Sequence, residues 1–283
     1  MQTSIIDMPN GEYRKILDHV SISELNVFAD LPANYKHQFI DGNRRPASPS
    51  QSLGTDIHTR ILEPGIWRNN YRVYIKPDGR TIAGKKYNEQ VESDESAGLK
   101  YLTPTVYDQV ERAAQALLTH PQVAQWSKSW IVERSMFWTD PDTGALCKGR
   151  TDAFISGDEC AILDVKTTKS IKEFGASIPD YGYHRQAAYY MDGLAHASKG
   201  EIVPTKFYWL VVEPTGMCHA KVFQATDELI AFGRKQYKVL LQKFMRSKKS
   251  NVWPGYGTEI DQLCLPDWYK KQPQEMFKSG EDY

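Results

Sequence analysis

The sequence predicts an α/β fold, a central mixed β-sheet flanked by helices. Three observations carry this. The first 128 residues hold most of the early helical patterning, including a long apolar periodicity after Thr103. From Trp130 the pattern changes to aromatic and β-branched runs broken by turn clusters. A helix, two more strand-like runs and a last long helix then follow in order. A single domain is expected over residues 1–283, with a helical N-terminal part (about 1–128), a sheet core (about 129–225) and a C-terminal helix and tail (226–283).

The elements follow in chain order. Ser21-Ile22-Ser23-Glu24 is a helix-capping signature ahead of Leu25, Val27 and Phe28. Asp41 to Ser52 is polar and proline-containing and reads as a loop. A second helix is expected from near Thr55, through "DIHTRILEP", stopping before Pro64. "NNYRVYIKP" predicts a short strand, and "GRTIAGKKYNEQVESDESAG" reads as a surface excursion. Thr103-Pro104 starts a helix carrying Val106, Val110, Ala113, Ala114, Leu117 and Leu118, which stops at His120-Pro121. "WIVERSMFW", "LCKGRTDAFI" and "AILDVKTT" form a three-strand meander. A helix over Tyr181 to Ala197, strands in "KFYWLVVEP" and "CHAKVFQ", and a helix from Asp227 to Ser247 complete the core, while the tail from Asn251 has no predicted place.

Composition narrows the function classes. With 41% hydrophobic and 25% charged residues, the chain reads as an ordinary soluble globular protein. No apolar run approaches the roughly 20 residues of a membrane span. The N-terminus shows no basic segment followed by an apolar one, so no secretory signal is expected. The cysteines at 147, 160, 218 and 264 show no CxxC spacing, which argues against a zinc ribbon, an iron–sulfur cluster and a disulfide framework, and predicts the reducing cytoplasm. Formal net charge is zero, so any nucleic-acid contact must come from local patches. There is no serine nucleophile elbow, no glycine-rich dinucleotide loop and no GxxxxGK[ST].

The informative stretch is "GRTDAFISGDECAILDVKTT". Asp152 and Asp164 lie in two apolar strands with eleven residues between them, and Lys166 follows two residues further on. Burying charge is costly unless it is paired or bound to a metal. Alternation along a strand puts Asp164 and Lys166 on one face. A plain ion pair would account for those two alone. A hairpin between the strands also brings Asp152 near Asp164, and two close carboxylates repel unless a divalent cation lies between them. Carboxylate oxygens beside a lysine suit a hard cation such as Mg²⁺ or Mn²⁺ and a phosphate substrate.

The spacing Asp152…Asp164-x-Lys166 resembles the PD-(D/E)xK nuclease superfamily. "GTDIHTRILEP" resembles the helix that supplies a histidine metal ligand in RecB-type and RecE-type nucleases. "HRQAAYYMDG" is similar to their later helix, with Gln186 and Tyr190 four apart on one face. "ISELNVFADLPANYKHQFIDG" resembles the opening helix of RecE-like exonucleases (exodeoxyribonuclease VIII). The likeness runs in order from about Ile22 to Gly193. It departs at Asp152, which follows Thr151 rather than proline.

The resemblance implies a restriction-endonuclease-like core and a Mg²⁺- or Mn²⁺-dependent exonuclease. Its substrate would be the ends of linear duplex DNA, in phage or prophage recombination, with a single-strand annealing partner and a homo-oligomer among the associated expectations. It further implies His58, Asp152, Asp164, the Val165 carbonyl and Glu133 as metal ligands. Lys166 positions the attacking water, and Gln186 and Tyr190 orient the site. Lys148, Arg150, Lys169 and Lys172 are the expected DNA contacts, from their place beside the acids. An endonuclease of the same superfamily, or an inactive DNA-binding protein on this fold, are the alternatives.

Overall fold

The computed structural model describes residues 3–157 and 159–270. In chain order the elements are β1 (Ser4–Asp7), α1 (Asn10–Lys15), α2 (Ile22–Asp30), α3 (Pro32–Tyr35) continuing into a π-helical turn (Lys36–Ile40), α4 (Pro49–Leu62), α5 (Pro64–Asn70), β2 (Tyr71–Val73), α6 (Ile82–Ser96), β3 (Lys100–Leu102), α7 (Pro104–Leu118), α8 (Pro121–Trp126), β4 (Ile131–Thr139), β5 (Leu146–Ile155), β6 (Ala161–Thr167), α9 (Phe174–Tyr181), α10 (Tyr183–Ala197), β7 (Lys206–Val212), β8 (Ala220–Gln224), α11 (Asp227–Ser250) and α12 (Asp267–Lys270).

Among the described residues the main sheet has six strands in the order β1-β4-β5-β6-β7-β8, and β2 pairs with β3 in a small second sheet. In the main sheet β6 and β7 run parallel, joined through α9 and α10, and the other neighbours run antiparallel. This is the mixed sheet the sequence predicts. Each face of the sheet carries a core. On one side α2, α10 and α11 bury Leu25, Phe28, Tyr189, Leu194 and Phe244 against Trp138, Phe154, Ile162 and Trp209. On the other, α4, α7 and α8 bury Ile57, Ile61, Val110, Leu117 and Trp126 against Ala153, Leu163, Val165 and Leu210. Each such apolar side chain contributes roughly 1.5–3 kcal/mol when fully buried. Covered on both faces, β6 reads as an almost continuous apolar run interrupted by Asp164.

The sequence signals hold where local chemistry decides. Ser21 and Glu24 form a reciprocal capping box at the start of α2. Thr103 accepts a hydrogen bond from Val106 N at the start of α7, and Pro104 occupies its first turn. Three expectations are corrected. The loop expected through Ser52 ends earlier, because Ser48 and Gln51 make a second capping box and α4 begins at Pro49. The expected surface excursion contains the fifteen-residue α6, capped by Thr81. The N-terminal part is not purely helical, since Ser4–Asp7 pairs with β4 at the sheet edge. The tail also gains an anchor: Trp253 stacks on Tyr35 with ring centroids 5.2 Å apart, and Pro254 O accepts from Ala33 N. No described helix is long and apolar enough to cross a membrane.

Helices α10 and α11 pack backbone to backbone at Gly233, where an added Cβ would lie 2.0 Å from the His184 carbonyl oxygen. That oxygen is backbone and cannot rotate away, so Gly233→Ala must push the helices apart. Overpacking of this kind costs about 1–3 kcal/mol or more. Thermal unfolding should show a lowered midpoint for Gly233→Ala and little change for Gly175→Ala, where nothing lies within 4 Å of an added Cβ. Equal midpoints for the two variants would contradict this packing.

Candidate active site

The site forms where two strand ladders loosen together. Between β4 and β5 the register runs Val132↔Ala153 and Arg134↔Thr151, passing over Glu133 and Asp152. Glu133 there has φ 53°, a left-handed conformation that costs a non-glycine residue about 1–3 kcal/mol. The facing alternation slips by one residue at the same place. Met136 and Trp138 face the α10 side, but Val132, also even-numbered, packs on the α4 side. On β5, Cys147 and Phe154 share the α10 side despite opposite parity. Between β5 and β6 the ladder ends at Ala153↔Leu163, one step short of Asp152 and Asp164. In place of the next ladder bond, Val165 N donates to Asp152 Oδ2 at 2.7 Å. The splayed strands open the gap into which the two carboxylates project.

Four of the predicted residues meet in that gap. His58 reaches in from the middle of α4, with Nδ1 3.4 Å from Asp152 Oδ2. The Val165 backbone also lies within reach of its imidazole. Asp164 is 1% exposed, and Lys166 Nζ lies 2.5 Å from its Oδ2. From α10, Gln186 Nε2 donates to Asp164 Oδ1 at 3.4 Å. Tyr190, one turn further on, stands over Gly149 of β5, where a Cβ would come within 3.4 Å of its ring.

The electrostatics are those of crowded acids in a dry place. Burial pushes Asp164 up to about 6, and Asp152 adds to the rise. Burial likewise raises Asp152. It pushes Glu133 up to about 7, aided by the Asp152 charge. His58 is driven down to about 4 by burial and by the Lys166 ammonium, so it is a neutral imidazole with a lone pair to give. Burial opposes the charged form of Lys166, but Asp164 and Asp152 more than offset this and hold it protonated.

Glu133 is positioned differently from the expected ligand set. Arg150 Nε donates to its Oε2 at 2.5 Å, and the same guanidinium donates to Met8 O and Ser135 Oγ. The expected DNA contacts divide. Lys169 and Lys172 are exposed on the loop after β6. Lys148 is 2% exposed and donates to Ile16 O. It faces, with Arg150, a cavity of about 290 Å³ that Arg14, Arg44, Glu24 and Tyr190 also line. Lys148 and Arg150 are thus partnered inside the protein rather than presented as free surface cations. The sequence reading missed Tyr183, whose ring centroid lies 5.1 Å from Lys166 Nζ. Its signal was available: it is the first residue of the helix that carries Gln186 and Tyr190.

The donors fit a hard divalent cation. They are carboxylate oxygens, one neutral imidazole and a strand carbonyl. Asp164 Oδ2 is buried without a well-formed hydrogen bond, in spite of its ion pair. The His58–Asp152 separation of 3.4 Å is close to the roughly 3 Å expected between neighbouring ligands of one octahedral ion. Among the described residues, no three His, Cys, Asp or Glu side chains already close around a common point. His58 meets Asp152, whereas Asp164 turns to Lys166 and Glu133 to Arg150.

Comparison with known proteins bears on the fold and the family. The chain is similar in structure to a crystal structure from Eubacterium rectale described as a candidate exonuclease, with a TM-score of 0.63 and 16% identity over 98% of this chain and 100% of that one. At that identity the likeness shows the fold. A second solved chain aligns at a TM-score of 0.29 and 14% identity over 69% of this chain and 87% of that one, which carries no argument. No curated protein matches. A family model described as a PDDEXK-like domain of unknown function (DUF3799) matches residues 21–265, from the cap of α2 to the tail, and the chain belongs to that family.

Proposed function

We propose that the chain is a metal-dependent deoxyribonuclease that hydrolyses phosphodiester bonds from the ends of linear double-stranded DNA, in the service of recombination. One observation carries the reading: His58, far away in sequence on α4, converges with Asp152, Asp164 and Lys166 where β5 and β6 splay. His58, Asp152, Asp164 and the Val165 carbonyl, with Glu133 beside them, would hold Mg²⁺ (or Mn²⁺). Bound there, such a cation supplies Lewis-acid polarisation of a phosphate oxygen and a water of lowered pKa.

The chain's own groups do the rest. The Lys166 ammonium, kept charged by the acids, holds the attacking water and offsets charge growing on the phosphate. Gln186 orients Asp164 by its hydrogen bond. Tyr183 and Tyr190 wall the site with rings. Lys169 and Lys172, exposed beside the site, meet neighbouring phosphates, contacts that carry no sequence information. A single-strand annealing partner, and a homo-oligomeric ring that admits only ends, belong to the same reading.

End dependence is tested by offering linear and covalently closed circular duplex of the same sequence, in Mg²⁺ and in EDTA, with Asp164→Ala as control. Loss of the linear form alone, only with metal and only with Asp164 intact, is the expected result. Cutting of closed circles would instead make the same site an endonuclease.

A further inference from the structure

Four rings on the α10 side of the sheet form a stair. Phe223 of β8 stacks on Phe174 at 5.2 Å, Phe174 on Tyr183 at 5.8 Å, and Tyr183 on Tyr181 at 5.5 Å, with interplanar angles of 25°, 25° and 27°. The inner steps belong to the core, where Phe174 is 1% exposed. The outermost does not: Tyr181 is 64% exposed. One face of Tyr181 lies on Tyr183 and the other faces outward. The middle of the stair touches the catalytic centre, because Lys166 Nζ lies 5.1 Å from the Tyr183 ring centroid while pairing with Asp164. The outward face of Tyr181 is therefore two ring steps from the ammonium that holds the water.

The backbone that carries the exposed ring is held in place. Tyr181 ends α9, and Gly182, at φ 67°, turns the chain into α10. Asn26 of α2 donates to Tyr181 O at 3.3 Å and accepts from Arg185 Nε at 3.0 Å. The Arg185 guanidinium lies against Gly182. A ring on a held backbone, with one face already stacked on Tyr183, has less freedom to lose when something stacks on the other. Lys169 and Lys172 are exposed on the loop that leads from Lys166 toward α9. Rings for bases and cations for backbone phosphates are the joint requirement of single-strand binding.

We propose that the outward face of Tyr181 is a stacking platform for one unpaired nucleobase, on the DNA strand whose phosphodiester lies at Lys166. The proposal rests on the reading of the site as a DNA hydrolase and adds a substrate requirement to it. The nucleotide at the scissile bond leaves its duplex partner and stacks on protein. A blunt end must then fray before it is cut, and a single-stranded overhang is the better substrate.

The test couples the ring to one base. A short single strand is prepared intact and as a series with one abasic site at each position in turn. Affinities for the wild-type chain, Tyr181→Ala and Tyr181→Trp are measured in EDTA, where metal-dependent cleavage cannot intervene. One abasic position should weaken wild-type binding on the order of 10-fold, the loss expected for one base–aromatic stack. The same position should make no difference to Tyr181→Ala, and Tyr181→Trp should retain the wild-type discrimination. A general disturbance of folding would lower all affinities without coupling to a position. Abasic penalties in Tyr181→Ala equal to those of wild type at every position would overturn the platform, as would a wild-type chain that binds no single strand. Cleavage of linear duplex by the same preparations reports separately on the hydrolase reading, which survives either of those failures.

Discussion

Replacing Lys166 with methionine should slow DNA hydrolysis severely while leaving metal binding in place. Methionine keeps a stem to pack beside Tyr183 and removes the charge. Among the described residues the ammonium is the cation on which both Asp164 and Asp152 act, so its work on water and phosphate is lost with it. Loss of a single preorganised electrostatic contact typically costs 10²–10³ in rate, and here water positioning is lost with it. A fall on the order of 10³-fold, about 4 kcal/mol of barrier, is expected at saturating Mg²⁺. Asp164 would be left buried beside Asp152 without its cation. It would respond by taking up a proton more readily, because burial already holds it up at about 6. Single-turnover cleavage of labelled duplex, with Mn²⁺ binding measured on the same protein, checks both halves. Unchanged cleavage would remove Lys166 from the mechanism.

His58→Ala should show the opposite profile, with chemistry recoverable and metal affinity lost. The imidazole is neutral at pH 7 and its Nδ1 stands 3.4 Å from Asp152 Oδ2, the arrangement of two donors to one ion. It comes from α4, a different layer from the acids, so its removal does not disturb the strands themselves. A divalent-cation dissociation constant raised on the order of 10–100-fold is expected, the range seen when support for a metal is lost. Cleavage should return substantially at high metal. Calorimetric titration of Mn²⁺ into both proteins measures the change. Equal affinities would assign His58 a packing role on α4 instead.

The contrast between these variants follows from what was legible in the chain. Asp152, Asp164 and Lys166 were readable because strand alternation is local: an x between Asp164 and Lys166 suffices to place both on one face. Gln186 and Tyr190 were readable because four residues make one helical turn. His58 needed the ordered resemblance, since nothing local distinguishes it from the other histidines. The face slip at Glu133 was not readable. It depends on a left-handed residue within a β-branched, aromatic run that looks like regular strand. For the same reason the sequence could not show that Arg150 turns to Glu133, or that Lys148 is buried under the N-terminal segment. Helix α6 was missed because its fifteen residues bury little, Val91 and Gly84 being the buried pair, and so lack a clear apolar stripe. Strand β1, four residues long, exists through its pairing with β4 rather than by its own propensity.

The site also breaks the rules that the rest of the fold obeys. A strand covered on both faces should be apolar throughout, yet β6 carries Asp164 at 1% exposure. A strand interior should avoid positive φ, yet Glu133 adopts it. Such departures carry a cost in stability and recur where function requires them. Here they coincide in one region, where two ladders loosen around Asp152.

The central claim, that this point hydrolyses DNA with a divalent cation, is tested most directly by following release of acid-soluble nucleotide from linear duplex across a Mg²⁺ titration, for the wild-type chain and Asp164→Asn. The account predicts release that rises from zero with Mg²⁺ in the wild type and stays absent in Asp164→Asn at every concentration. Release that persists in EDTA, or that survives in Asp164→Asn, would contradict it.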